Sequence, residues 1–390
     1  MSNISEEIYN DGVITITGEC KGCDFCEKVC PADAISVNGL GTKHVIDPDK
    51  CLHCGQCLIT CPFNRISDVS MVAEVEKAIA DGKTVIVQEA PAVRIGLSEA
   101  FGLPEGTNVE AKMYAALRKL GFSKVYDTVF SADLTIMEEG YELVGRLYKA
   151  LGDKDYQDAG DLPQFTSCCP AWVRYAELNY PQILPHFSTA KSPMSMLGAV
   201  FKTYGAEKNN VDPADVYSVA VMPCTAKKYE ASRPEFISSG YPDTDAVITT
   251  RELAQMIVDA GIDFNALPEE EVDKLLGTGS GAGAIFGVTG GVMEAALRTG
   301  YAVVAGKELT DLDIMAVRGE EGVRDASVEI PLPDGGTFEL KVAIVSGTAN
   351  TVKLIEEVLA GTCEYHFIEV MNCPGGCVNG GGQPINHTIA

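Results

Sequence analysis

At 390 residues with 46% hydrophobic content, the chain can bury more than one sizeable core, and two or three domains are expected. A formal charge of -25 excludes nucleic acid as a partner, because phosphate would be repelled. No apolar run approaches the roughly 20 residues of a membrane helix, and MSNISEEIYNDG lacks the basic and apolar regions of a secretory signal, so the cytoplasm is the expected location.

Eight of the fourteen cysteines lie between Cys20 and Cys61, and none follows until Cys168. Such clustering in a chain without a signal peptide reads as metal binding rather than as a disulfide framework. It sets off a first domain, residues 1–70, too small to rely on a large core. Cys20, Cys23, Cys26 and Cys30 before Pro31 form one C-x2-C-x2-C-x3-C-P run, and Cys51, Cys54, Cys57 and Cys61 before Pro62 repeat it. That is the spacing of bacterial two-cluster ferredoxins, in which the fourth cysteine of each run serves the other cluster. Cys20, Cys23, Cys26 and Cys61 are therefore expected to hold one 4Fe-4S cluster, and Cys51, Cys54, Cys57 and Cys30 the other. A zinc module would lack the fourth cysteine and the proline.

From Met71 to the end, residues 71–390, the texture becomes that of an α/β domain with room for two lobes. MVAEVEKAIADGK has helical periodicity, and KTVIVQEAP reads as a buried strand closed by proline. Further on, AKMYAALRKLG precedes SKVYDTVF, a helical KSPMSMLGAVFKTYG precedes DVYSVAVMP, and FELKVAIVSG precedes TANTVKLIEEVLAG. This alternation predicts a largely parallel sheet covered by helices. Strands near Val328 to Leu332 and Phe338 to Val345 are expected to pair about PDGG. The glycine-rich segments at 277–291 and 373–384 lack the strand, turn and helix context of a dinucleotide loop, so close backbone approach to a bulky cofactor explains them better.

Three more motifs carry cysteine beside proline or glycine: TSCCPAW at 166–172, MPCTAKKYE at 222–230 and EVMNCPGGCVNGGGQP at 369–384. With them the chain strongly resembles the FeFe hydrogenase family, whose signature segments match in order and spacing over nearly the whole length. The likeness is to the compact type with two accessory clusters, as in the large subunit of periplasmic hydrogenases of sulfate reducers. It implies a ferredoxin-like domain followed by a two-lobed catalytic domain built around the H-cluster. In that cofactor a 4Fe-4S cubane is bridged to a diiron subsite bearing carbonyl, cyanide and a dithiolate.

The resemblance makes Cys169, Cys224, Cys373 and Cys377 the cubane ligands, with Cys377 bridging to the diiron subsite. Lys227 is suited to donate to a cyanide. Backbone donors near Pro91, Ala92 and Gly287 would serve the other diatomic ligands, while Met222, Pro223, Phe286 and Met371 would wall the pocket. Cys168, beside a ligand, becomes a proton relay. Glu139, Glu142 and Arg146 are spaced i, i+3 and i+7, so a helix aligns them on one face. With Ser188 inserted, the family's route runs Cys168, Glu139, Ser188, Glu142, Arg146, and buried carboxylates along it should have raised pKa values. Glu230 reads as a salt-bridge partner of Lys227.

The substrates implied are dihydrogen and protons, with a ferredoxin or cytochrome as electron partner. The chain stops at Ala390, shortly after GGGQP, where monomeric members continue with a helical wrap, so a small partner subunit is expected. Export together with that subunit, to the periplasm, is the alternative location. Met194 stands where many members carry Gln and Ala171 where Gly is common. Cys363 lies outside every motif, and His44, His53, His186, His366 and His387 form no ligand spacing, although His53 lies between two cluster cysteines and is placed to tune that cluster. A hydrogenase-like iron-sulfur assembly protein and a hydrogen sensor are the competing readings. The complete relay set speaks against the first, and the retained Cys168 with no signalling domain against the second.

Overall fold

The computed structural model describes residues 4–36, 42–309, 322–331 and 335–385. Among these it forms two compact units: Met1–Val129 with Met194–Thr278 and Val378–Ala390, and Phe130–Pro193 with Gly279–Cys377.

The first unit contains the cysteine-rich segment. Strand β1 (Ile14–Ile16) pairs antiparallel with β4 (Ile66–Asp68), and β2 (Ile35–Ser36) with β3 (Val45–Ile46). The 31-residue offset between the two cysteine runs reappears in the backbone. Positive φ occurs at Gly22 and His53, at Asp24 and Gly55, and at Asp33 and Asn64. Each run thus folds its loop through the same turns.

The rest of this unit is a parallel sheet in the order β6-β5-β8-β9: β5 (Thr84–Glu89), β6 (Lys124–Asp127), β8 (Val216–Met222) and β9 (Ala246–Thr249). Val85, Val87, Val219, Val221, Ala246 and Ile248 are almost wholly buried, the continuous apolar texture of strands covered on both faces. One hydrophobic core joins these residues to Ile14, Leu58 and Ile66 of the cysteine-rich segment.

The second unit is built on a mixed sheet, β10-β11-β12-β7: β7 (Gln164–Phe165), β10 (Val323–Pro331), β11 (Thr337–Ser346) and β12 (Phe367–Met371). β10 and β11 form the expected antiparallel pair, longer than the sequence suggested, with Ile330 opposite Phe338; the turn residues 332–334 lie outside the described residues. β11, β12 and β7 run parallel. The helices Val129–Ala150 and Gly291–Ala305 bury Leu143, Leu147, Met293 and Leu297 against Val342, Ile344 and Phe367.

Candidate active site

Parallel strands leave their carboxyl ends open, and loops there are the usual place for a ligand. In the first unit β5 runs into Pro91 and Ala92 before the helix Val93–Ala100, and β8 into Pro223 and Cys224 before the helix Ala226–Ser232. The two loops are neighbours, since the Ala90 amide donates to the Val221 carbonyl at 3.2 Å. Met222 packs with Met194, Ala90, Ala220 and Val247 in one small apolar cluster. Lys227 Nζ lies 2.6 Å from Glu230 Oε2, the ion pair read from the sequence, and Ser195 Oγ donates to the other Glu230 oxygen at 2.7 Å.

The second unit repeats the device. β7 ends in Ser167, Cys168 and Cys169, and the adjacent β12 ends in Asn372 and Cys373. Cys168, Phe286 and Met371 share an apolar cluster with Ala132, Ile136 and Val292, so three residues from distant segments come together. The turn Ile285–Gly287 leads to Thr289, whose amide donates to the Gly375 carbonyl at 3.2 Å. A side chain on Gly376, at φ +105, would lie 2.6 Å from that amide nitrogen, so the glycines before Cys377 serve close backbone packing rather than a phosphate.

The helix Val129–Ala150 brings Glu139, Glu142 and Arg146 to one face. Ser167, adjacent to Cys168, points its amide at Glu139 Oε1 across 3.4 Å. Ser188 Oγ donates to Glu142 Oε2 at 2.9 Å, and Arg146 holds Glu142 Oε1 at 2.6 Å and the Phe187 carbonyl at 2.8 Å. Glu139 is 1% exposed, and burial pushes its carboxyl up to about 7, against the lowering pull of the Ser167 amide. Glu142 is partly open, its side chain 19% exposed, so a buried acid with a raised pKa is followed by one that reaches water.

The sequence reading missed Glu369. It lies in the middle of FIEVM, wholly buried, and accepts from the Gly290 and Met293 amides at 2.6 Å each, which pins the start of the helix behind Phe286. Burial raises it to about 7 despite those two donors. A lone charge in an otherwise apolar strand was the available signal.

In the cysteine-rich segment, Cys20, Cys23, Cys26 and Cys61 line a single cavity. Cys57 is pushed up by burial and then by its neighbours Cys54, Cys51 and Cys30, the companion set. Backbone amides aim at the sulfurs in matched pairs: Gly22 on Cys20 and His53 on Cys51, Ala34 on Cys30 and Arg65 on Cys61, at 3.3 to 3.5 Å. Such donors suit thiolates carrying the negative charge of a cluster. His53, singled out between cluster cysteines, turns its ring onto Tyr229, with centroids 4.7 Å apart, and its carbonyl accepts from Thr225 Oγ1 at 2.6 Å. Gln56 donates to the Asn379 carbonyl at 3.0 Å, and the Gly382 amide to the Pro223 carbonyl at 2.8 Å. The loop of Cys54 is thereby stitched to the residues flanking Cys224. A side chain on Gly381 would lie 2.3 Å from the Cys54 carbonyl. Gly381→Ala is expected to lose the iron of the neighbouring cysteine set, read as fewer irons per chain, while Gly300→Ala, in a helix and with nothing within 4 Å of the added carbon, should retain it.

Residues 83–381 match the family of the iron only hydrogenase large subunit, C-terminal domain, and residues 19–65 match the 4Fe-4S dicluster domain. The chain is 53% identical over 370 residues to the periplasmic Fe hydrogenase large subunit of Nitratidesulfovibrio vulgaris, covering 94% of this chain and 85% of that one. A solved FeFe-hydrogenase from Chlamydomonas reinhardtii superposes with a TM-score of 0.72 at 41% identity, covering 82% of this chain and 86% of that one. The cytosolic iron-sulfur assembly component 3 of Bos taurus is more distant, 33% identical over 87% of this chain and 72% of its own length. This chain belongs to the iron-only hydrogenase large-subunit family, a ferredoxin-like dicluster domain followed by an α/β catalytic domain. No helix among the described residues is long and apolar enough to cross a membrane.

Proposed function

We propose that this chain interconverts dihydrogen with protons and electrons, residues 1–70 conducting electrons and residues 71–390 carrying the chemistry. Cys20, Cys23, Cys26 and Cys61 would hold one 4Fe-4S cluster and Cys30, Cys51, Cys54 and Cys57 the other. Cys169, Cys224, Cys373 and Cys377 would hold the cubane of the H-cluster, with Cys377 bridging to the diiron subsite. When bound, that cofactor supplies an open iron position and an adjacent amine base for splitting dihydrogen heterolytically. Everything else falls to the chain. Lys227, already charge-paired with Glu230, is placed to donate toward an anionic ligand, with the backbone about Pro91, Ala92 and Gly287 for neutral ones. Met222, Pro223, Phe286 and Met371 exclude water. The stitching of His53 to Thr225 puts the second cysteine run beside Cys224, so that run stands on the electron route nearest the chemistry.

The observation that carries the reading is the ladder of Glu139, Ser188, Glu142 and Arg146. A scaffold that only stores clusters has no need of a buried acid near neutrality followed by hydrogen-bonded groups reaching water. With its one proton given to Glu142, Ser188 can accept from protonated Glu139 and pass the charge on. Cys168 would start this relay.

Infrared spectra of the maturated protein should contain carbonyl and cyanide bands, together with hydrogen evolution from a reduced viologen; iron-sulfur content without those bands would move the assignment to the assembly-protein branch. Cys168→Ser is expected to keep the bands and lower turnover about 10²- to 10⁴-fold, the usual worth of a placed proton donor. Wild-type turnover in that variant would remove Cys168 from the route.

The large-subunit name of the 53% relative supports a small subunit as partner, and its periplasmic name favours the exported alternative over the cytoplasm. The electron partner, a ferredoxin or cytochrome, would meet the cavity of Cys20, Cys23, Cys26 and Cys61, whose lining residues Phe25 and Phe63 are 50% and 45% exposed.

A further inference from the structure

His44 is 1% exposed, although nothing in its sequence spacing marked it. Its Nδ1 stands 3.4 Å from Cys26 Sγ and 3.9 Å from Cys20 Sγ, and its Nε2 is 2.9 Å from Asp24 Oδ1. The ring also lines the cavity of the Cys20, Cys23, Cys26 and Cys61 set. A carboxylate behind an imidazole fixes its orientation, as it does for histidines bound to metals.

Asp24 is the second part of the observation. It adopts φ +62, the left-handed region that a residue with a side chain enters at a cost of about 1 kcal/mol. The other repeat has Gly55 at the matching position, φ +73, where a side chain would strike Thr225 and Gly381. The first repeat could use glycine too. It keeps an aspartate, and that side chain provides no hydrogen bond to the helix it precedes; its carboxylate goes to His44.

We propose that His44, oriented by Asp24, donates a hydrogen bond to the Cys26 thiolate and raises the reduction potential of the first accessory cluster. This rests on the reading that Cys20, Cys23, Cys26 and Cys61 hold a cubane. Bound to iron, Cys26 sulfur can only accept, so Nδ1 is the donor in that bond, and Asp24 holds the opposite side of the ring. A donor to sulfur stabilises the more negative, reduced cluster and so moves the potential up. Ile46 faces Ile35 in β2 as Ile16 faces Ile66 in β4, so the residue matching His44 in the other half of the repeat is Ile14, and the device belongs to one cluster and makes the pair unequal. His44 is a positioning residue for electron transfer and takes no part in the chemistry on dihydrogen.

The test is a redox titration of the iron-loaded protein followed by electron paramagnetic resonance, which resolves the accessory clusters without reference to turnover. His44→Leu is expected to lower the midpoint of one cluster by an amount equal to about a tenfold change in its reduction equilibrium, roughly 59 mV for one electron, leaving the other unmoved. Asp24→Gly relieves the backbone and frees the ring, so it should keep full iron content and shift the same midpoint in the same direction. Should His44→Leu lose iron, Asp24→Gly decides alone. Unchanged midpoints in an iron-replete Asp24→Gly protein would overturn the proposal. A wild-type protein lacking two accessory cubane signals would instead remove the assignment of the cysteines on which it rests.

Discussion

Glu139→Gln is expected to reduce hydrogen turnover about 10²- to 10⁴-fold while leaving the infrared bands of the cofactor in place. The amide matches the carboxyl in shape and still accepts from Ser167, so the pocket is preserved, but it cannot release a proton toward Ser188. The wild-type group sits near 7 because burial penalises its charge, and that makes it able both to take and to give a proton near neutrality. The same shift governs stability. Between the ordinary carboxyl value of 4.5 and about 7, native Glu139 keeps a proton that the unfolded chain has lost, so its contribution is full below 4.5 and falls as pH rises through 7. Glu139→Gln should therefore be more stable than the parent above pH 7, by an amount on the order of 3 kcal/mol, and equal to it below pH 4.5. Thermal denaturation at pH 5 and pH 8.5 measures the difference. A variant no more stable at the higher pH would mean that burial does not raise the Glu139 carboxyl above its unfolded value.

The second large effect is expected at Lys228, whose ammonium is wholly buried. It lies 2.7 Å from Asp68 Oδ2, 2.6 Å from the Val69 carbonyl, and 2.9 and 2.8 Å from the two Glu252 oxygens. Asp68 closes β4 of the cysteine-rich segment, and Glu252 completes the capping box of the helix Thr250–Asp259 with Thr249. One cation therefore fastens the electron-conducting segment to the sheet that carries Cys224. Lys228→Met fits the volume but leaves two carboxylates facing each other, one of them with Arg251 as its remaining partner at 3.1 Å. Removing one member of such a set costs about 3–5 kcal/mol. Denaturation midpoints of the iron-loaded protein should fall accordingly, and a loss below about 1 kcal/mol, the level of surface pairs, would show that water already screens the site.

The cysteine runs, their internal repeat and the alternating α/β texture were all legible in the chain, because ligand spacing and hydrophobic period are local properties. The strands at Thr84–Glu89, Lys124–Asp127 and Val216–Met222 fall where the buried apolar runs placed them. The i, i+3, i+7 spacing of Glu139, Glu142 and Arg146 was enough to put them on one helix face. What it left open was whether that face met solvent, since an amphipathic pattern does not say what packs against its polar side.

Only the folded chain decided the burial of Glu139, the stitching of His53 to Thr225 and the clamp of Glu369 on Gly290 and Met293, each of which joins residues far apart in sequence. Two neighbours illustrate the difference: Lys227 stood out through its distance from a cysteine motif, while Lys228 is the deeper-buried lysine with three partners. His44 shows it again, lacking any ligand spacing yet seated against a cluster cysteine. The cysteines were determined by the chain itself because iron demands a set number of sulfurs at short spacing. The groups proposed to tune the iron and carry its protons emerge only in the tertiary structure, because desolvation and hydrogen bonding depend on what the fold packs against them.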